Sequence, residues 1–237
     1  HQDQREARSL EAAQRQKELE LARTNRALTL LNEIAFELEG NLDEQIQQAL
    51  AMGRDFLGLD IGIVSDITGQ WYTVRWCDVV DGINLHPWQS FPLGETYCEM
   101  AVAQKRELAI HEMSQSDARS HPCYRTFNLE AYIGARLESE DGTFGTVNFS
   151  SPAPRAPFDE SERLFIRLLS RWISHQLIHQ KRHSEIEKLL RQIPGAIYQF
   201  RRWPDGTAAF PFMSSGVESL YGITPEQAMN DADSLFS

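Results

Sequence analysis

The feature that most constrains this chain is a change in the period of its apolar residues. From Leu10 to Leu42 there is one glycine and no proline, and the residues fit a heptad register. Leu10, Gln14, Lys17, Leu21, Thr24, Leu28, Leu31, Ala35, Leu38 and Leu42 take the a and d positions, with apolar density rising toward the C-terminal end. Residues 11–27 are too polar to form a core by themselves, so the spacing predicts a helix that pairs with a second copy, the other reading being a solvated helix packed on its own domain. Gly40 and Asn41 interrupt the run, and a second amphipathic stretch, DEQIQQALAMGRDFLG, follows.

The pattern then alternates. IGIVSDI and QWYTVRWCDV, joined at Thr68-Gly69, read as two antiparallel strands, with Tyr72, Val74 and Trp76 on one face and Trp71, Thr73 and Cys77 on the other. Residues 81–94 are rich in turn formers and read as a loop carrying Trp88 and Phe91. A short helix (ETYCEMAVAQK), a strand (ELAIHE) and a helical turn (HPCYRTF) come next. A hairpin, EAYIGARLES and TFGTVNFSS around Asp141-Gly142, completes the strand region. The prolines of SPAPRAP end the sheet, and Asp159 with Glu162 has the spacing of a capping box. The helix it opens carries Leu164, Phe165, Leu168, Leu169, Trp172, Ile173 and Leu177, turns polar, and stops at Pro194-Gly195. Two more strands follow, AIYQFRRW and TAAFPFM around Pro204-Asp205-Gly206, and then a helix capped by Thr224 with Pro225 at its first position.

This order reads as an α+β chain in four parts. They are a coiled-coil helix over 1–40, a sheet domain over 28–178, a connecting helix over 159–192, and the opening of a further domain over 193–237. Neither end carries a capping or turn signal, so both read as lying inside a longer protein. The seam of a parallel homodimer is assigned to Leu10, Leu21, Leu28, Leu31 and Leu38, continued by Trp172, Ile173 and Leu177.

A net charge of −11 repels phosphate backbones and anionic headgroups, so nucleic acid and membrane surfaces are excluded as partners. No apolar run reaches about 18 residues and the N-terminus has no signal-peptide core, which places these residues in the cytoplasm. Three cysteines, Cys77, Cys98 and Cys123, form no C-x-x-C pair, which argues against disulfides and zinc. His121 and Cys123, with Cys98 elsewhere, lack a fourth ligand, so no metal is assigned. There is no G-x-S-x-G, H-E-x-x-H, P-loop, kinase or GGDEF-like box, and Glu138, Glu140 and Asp141 read as a solvated hairpin tip. The chain is expected to have no catalytic centre and to require no cofactor. Aromatic and thiol side chains make the candidate ligand pocket: Trp71, Trp76, Trp88, Phe91, Tyr97, Cys98, His121, Cys123, Tyr124, Phe127 and Tyr132.

Three motifs in consistent order, LGETYC (Leu93 to Cys98), Y-x-G-x-x-L (Tyr132 to Leu137) and FGTV (Phe144 to Val147) running into a proline-arginine turn, make residues 30–180 resemble the GAF domain of bacterial sensor proteins. S-x-G-x-x-x-L-Y-G-x-T-P-E, from Ser214 to Glu226, resembles the start of a PAS domain. The resemblance implies an antiparallel sheet with helices on one face and a small-molecule pocket on the other. It also implies flanking helices that form a parallel dimer and pass a change of pitch or rotation to an output domain in the same chain, a diguanylate cyclase, phosphodiesterase or histidine kinase. A structural GAF dimer without ligand is one alternative. A covalent bilin carrier or thiol redox enzyme using Cys123 or Cys98 is another, since Cys123 stands at the spacing of the bilin-attachment cysteine of phytochrome-like GAF domains. Tyr124 occupies the place of the histidine that usually follows that cysteine, and no Asp-Ile-Pro-like motif occurs, so neither bilin nor haem is expected. The Asn-Lys-x-Phe element of cyclic-nucleotide GAF domains is also missing.

Overall fold

The structure, a computed structural model, describes residues 2–193 and 195–230, with the backbone alone for residues 2–10 and 208. The side chain of Leu10, Pro194 as a helix stop, and the last residues 231–237 therefore lie outside the described part. The chain divides at Gln176/Leu177 into two compact units.

The first unit begins with α1 (Gln2–Phe36) and α2 (Leu42–Leu57). Asn41 separates them with a reciprocal cap: its side chain accepts from Glu44 N at 3.0 Å, and Glu44 Oε2 accepts in turn from Asn41 N at 3.0 Å. On α2, residues Ile46, Ala49, Leu50, Gly53 and Leu57 recur at helical spacing and are buried together. Six strands follow: β1 (Ile61–Thr68), β2 (Trp71–Val79), β3 (Ser90–Pro92), β4 (Leu108–Ile110), β5 (Ala131–Ser139) and β6 (Gly142–Ser151). They form one antiparallel sheet in the order β3-β2-β1-β6-β5-β4. Helices α3 (Tyr97–Ala103) and α4 (Pro122–Phe127) lie between β3 and β5 in the chain, and α5 (Glu160–Gln192) follows β6. The expected α+β architecture is what the chain adopts.

The two faces of the sheet are covered differently because β6 alternates two kinds of residue. Val147 and Phe149 turn to one side, where Phe149 meets Gly53 of α2, Gly62 of β1 and the ring of Phe165 on α5. The rings of Phe56 and Phe165 pack 4.9 Å apart beside them. Thr146, Asn148 and Ser150 turn to the other side, toward α3 and α4, with Tyr132 opposite Ser150 across the ladder. The Asp159–Glu162 box starts α5 as expected, with bonds of 3.0 and 2.8 Å.

Three expectations need correction. Residues 90–92 are not loop but a short edge strand, because the backbone of β2 offers an unpaired row that they fill. Trp76 does not share a face with Tyr72 and Val74. The β1–β2 register jumps between Val64 and Ser65, so Arg75 is an extra residue, and beyond this bulge Trp76 turns to α2 while Cys77 joins the side of Tyr72. Ile173 is fully buried within its own unit, so it is removed from any seam between chains. On α1 it is Ala27 and Ile34 that are buried, with Leu31 and Leu38 half-buried and Leu21 and Leu28 facing out. Trp172 and Leu177 are half-buried.

The second unit contains the antiparallel hairpin β7 (Tyr198–Arg202) and β8 (Ala208–Met213), then α6 (Gly216–Tyr221) and α7 (Pro225–Asn230). Phe210, Met213, Val217 and Ala228 make its core, and Thr224 caps α7 by accepting from Gln227 N at 3.2 Å.

Because Phe165 is fully buried and Phe36 is 82% exposed, truncating them separates core from surface. Phe165→Ala is expected to destabilise by about 4 kcal/mol and Phe36→Ala by less than about 0.5 kcal/mol, measured by urea unfolding.

Candidate functional site

A cavity of about 340 Å³ opens on the side of the sheet away from α2. Its walls are apolar: Ile61 and Ile63 of β1, Val74 of β2, Phe91 of β3, Phe127 of α4 and Leu129. Ile83, Leu85 and Gln89 reach it from the 80–89 loop, which is pinned to the sheet by bonds from Trp88 N to Val74 O (2.7 Å) and from Val74 N to Gln89 O (2.9 Å).

The floor is polar and fully buried. Cys98, on the first turn of α3, lies against the row that β6 presents. Thr146 Oγ1 donates to Cys98 Sγ at 3.3 Å, Asn148 Nδ2 is 3.4 Å from the same sulfur, and Tyr132 Oη is 3.4 Å away. Asn148 Nδ2 also donates to Tyr72 Oη at 3.3 Å, and the hydroxyls of Ser65 and Thr146 are 2.9 Å apart. Tyr97 stacks on Tyr132 at 5.3 Å between centroids, and its hydroxyl donates to Leu129 O at 2.6 Å. Burial pushes the ionisations of Tyr72, Tyr97, Tyr132 and Cys98 upward, so these groups stay neutral at ordinary pH and act only as hydrogen-bond donors and acceptors.

Of the eleven residues expected in the pocket, Phe91, Tyr97, Cys98, Phe127 and Tyr132 line this cavity and six do not. Trp71 and Trp88 are mostly exposed. Trp88 has a positive φ of 73° and stacks on Arg75, whose guanidinium pairs with Asp66 and also lies over Trp76. Trp76 donates its indole N–H to Asp43 at 3.1 Å, on the far side of the sheet. His121 caps α4 by accepting from Cys123 N at 3.2 Å and holds Glu99 at 2.7 Å. Tyr124 donates to Glu130 at 2.6 Å. Cys123 is buried in the packing beneath Tyr97 and Tyr132, where desolvation pushes its thiol up to about 12. Among the described residues no group of three or more His, Cys, Asp and Glu is placed to hold a metal.

Sequence reasoning missed the aliphatic walls, such as Ile61, Ile63, Val74 and Leu129, and, at the floor, the polar row Thr146, Asn148 and Ser150 with Ser65 and Tyr72. The signal of the polar row was present: a central strand covered on both faces is expected to be apolar throughout, and this one alternates with Thr, Asn and Ser.

Comparison with known proteins places this arrangement. No curated protein matches the sequence. Among solved structures, the GAF domain of a phosphoenolpyruvate-protein phosphotransferase from Coxiella burnetii superposes with a TM-score of 0.55 at 14% identity, covering 68% of this chain and 98% of that one. The chromophore-binding domain of a bacteriophytochrome from R. palustris gives 0.56 at 13% identity, covering 70% of this chain and 62% of that one. A free methionine-R-sulfoxide reductase from Neisseria meningitidis, solved with its substrate, gives 0.52 at 13% identity over 66% and 89%. At such identities the likeness concerns the fold alone. The GAF domain family model matches residues 41–177, more than half of the chain, and the chain belongs to the GAF domain family, whose members are sensory and regulatory domains found often in signalling proteins.

Proposed function

We propose that this chain is a non-catalytic input region of a bacterial signal-transduction protein, in which a small molecule held in the cavity biases how α1 and α5 pack. The observation that carries this reading is the cavity itself: apolar walls with a few convergent polar groups, at the small end of the range for ligand pockets. The ligand touches β2, β6 and α3, and β6 carries Phe149 on its reverse face against α2, so strain at the floor is transmitted to the helical side through one strand. In this reading α1 forms a parallel homodimer through Leu21 and Leu28, which are 62% and 44% exposed, and α5 leads to an output domain, a diguanylate cyclase, phosphodiesterase or histidine kinase. The hairpin and two helices after residue 193 then serve as the first part of a PAS domain. The described residues contain no helix long and apolar enough to cross a membrane.

The thiol-based alternatives have less support, because Cys98 and Cys123 are both buried and both held protonated. A covalent attachment needs a thiolate with open space before it; Cys98 borders the cavity but is held as the thiol, and Cys123 does not reach the cavity.

Three outcomes are expected. Native mass spectrometry of the chain purified from cells will show a retained small molecule, or a binder will appear in a metabolite thermal-shift screen, and Leu129→Trp will abolish it; a chain that never takes up any molecule would make this a purely structural GAF domain. Sedimentation at micromolar concentration will give a dimer that Leu21→Asp with Leu28→Asp converts to a monomer. An iodoacetamide time course at pH 8 will leave Cys98 and Cys123 unmodified in the native state and label both in urea.

A further inference from the structure

The ligand class can be narrowed from the charge and shape of the cavity, on the reading above that the cavity takes a ligand. None of its lining residues is charged among those described. Of the ionised groups next to lining residues in sequence, Glu95 is exposed, Asp60 accepts from Ser151 Oγ, Glu99 holds His121, and two more are also committed. Arg75, next to Val74, pairs with Asp66, and Glu130, next to Leu129, accepts from Tyr124 at 2.6 Å and from Ser114 N at 3.0 Å. On the floor, Asn148 Nδ2 and Thr146 Oγ1 are spent on Cys98 and Tyr72, so neither is left to solvate an anion. An ion moved into such a site loses its hydration and finds no counter-charge, only neutral groups such as the Asn84 and Gln89 amides and the Ser150 hydroxyl at the lining, which is the costly case for burial.

The remaining features favour a ring. The Tyr97–Tyr132 stack and the Phe91–Phe127 edge contact, at 5.3 Å each, put aromatic surface on two sides of the space. The volume of about 340 Å³ equals that of about eleven liquid waters, enough for two fused rings with substituents. Asn148 is the polar side chain at the base of the cavity whose amide oxygen is not used by the floor cluster among the described bonds, which provides an acceptor for a ring N–H or hydroxyl.

We propose that the cavity selects an uncharged, planar aromatic or heteroaromatic molecule bearing a hydrogen-bond donor, read by Asn148, and rejects carboxylated, phosphorylated or ammonium-bearing relatives of the same shape. Nucleotides and bilins, which carry anionic groups, fall outside this class unless their charges stay in solvent.

The test uses three probes of one shape and different charge: indole, indole-3-acetate and tryptamine, titrated into the full chain by calorimetry. Indole is expected to bind, with the two ions weaker by about a hundredfold or more. Asn148→Leu is expected to weaken indole about tenfold while leaving 1-methylindole, which has no N–H, unchanged. Ile63→Trp fills the cavity and is expected to abolish binding, with Leu129→Phe as the milder variant should the first not fold. Indole-3-acetate or tryptamine binding as tightly as indole, with that binding lost in the filled variant, overturns the charge selection and leaves the ligand site standing. So does a charged molecule released from the purified chain on denaturation and identified by mass spectrometry. Binding of no probe, together with no released molecule, removes the ligand site itself.

Discussion

The structure depends on the close approach of α2 to the sheet at Phe149. A phenylalanine in the middle of a central strand needs space on the helical side, and the chain supplies it by omission. Gly53 of α2 and Gly62 of β1 leave the room their Cβ atoms would have filled, and Phe165 of α5 closes the remainder. In dense packing of this kind a methyl more or a methyl less is felt, and this ties α2, β1, β6 and the part of α5 around Phe165 together within the first unit. A similar omission at Gly145 lets β6 run against the backbone of Ser65, where a side chain would strike the carbonyl.

With the helical face closed in this way, the other face of the same strand is free to carry function. Thr146, Asn148 and Ser150 are polar groups deep in a domain, and each would be destabilising without a partner by about 1–3 kcal/mol. Thr146 and Asn148 are satisfied by one another, by Ser65 and Tyr72, and by the sulfur of Cys98, which accepts where an oxygen or a charge would normally be found and also meets the Tyr132 hydroxyl, while Ser150 borders the cavity. A thiol suits this place. It is small enough for the first turn of α3, apolar enough to be buried, and sufficiently polarisable to accept long contacts from several donors. The result is a floor that is polar yet electrically neutral, which is the property that sets what the cavity can hold.

Much of the fold was legible from local rules, because the relevant chemistry lies within a few residues. Asp159 and Glu162 announced the start of α5, Thr224 and Pro225 that of α7, and Asp141-Gly142 the β5–β6 turn, where Gly142 has a φ of 120° that favours glycine. Phe91, Tyr97, Cys98, Phe127 and Tyr132 were found as lining residues by their aromatic or thiol character. The same rule also gathered Trp71, Trp76 and Trp88, since aromatic content alone does not tell which side of a strand a ring occupies.

What the sequence determined by itself was the order and nature of the elements, and the family, since caps, turns and periodicity are properties of neighbouring residues. Which side of the sheet each side chain reached was decided only in three dimensions. The bulge at Arg75 arises from how β2 pairs with β1, and it alone sends Trp76 to the helices and Cys77 toward the cavity. The burial of Ile173 and the neutrality of the cavity are likewise outcomes of packing, because both depend on residues far apart in the chain arriving at one place.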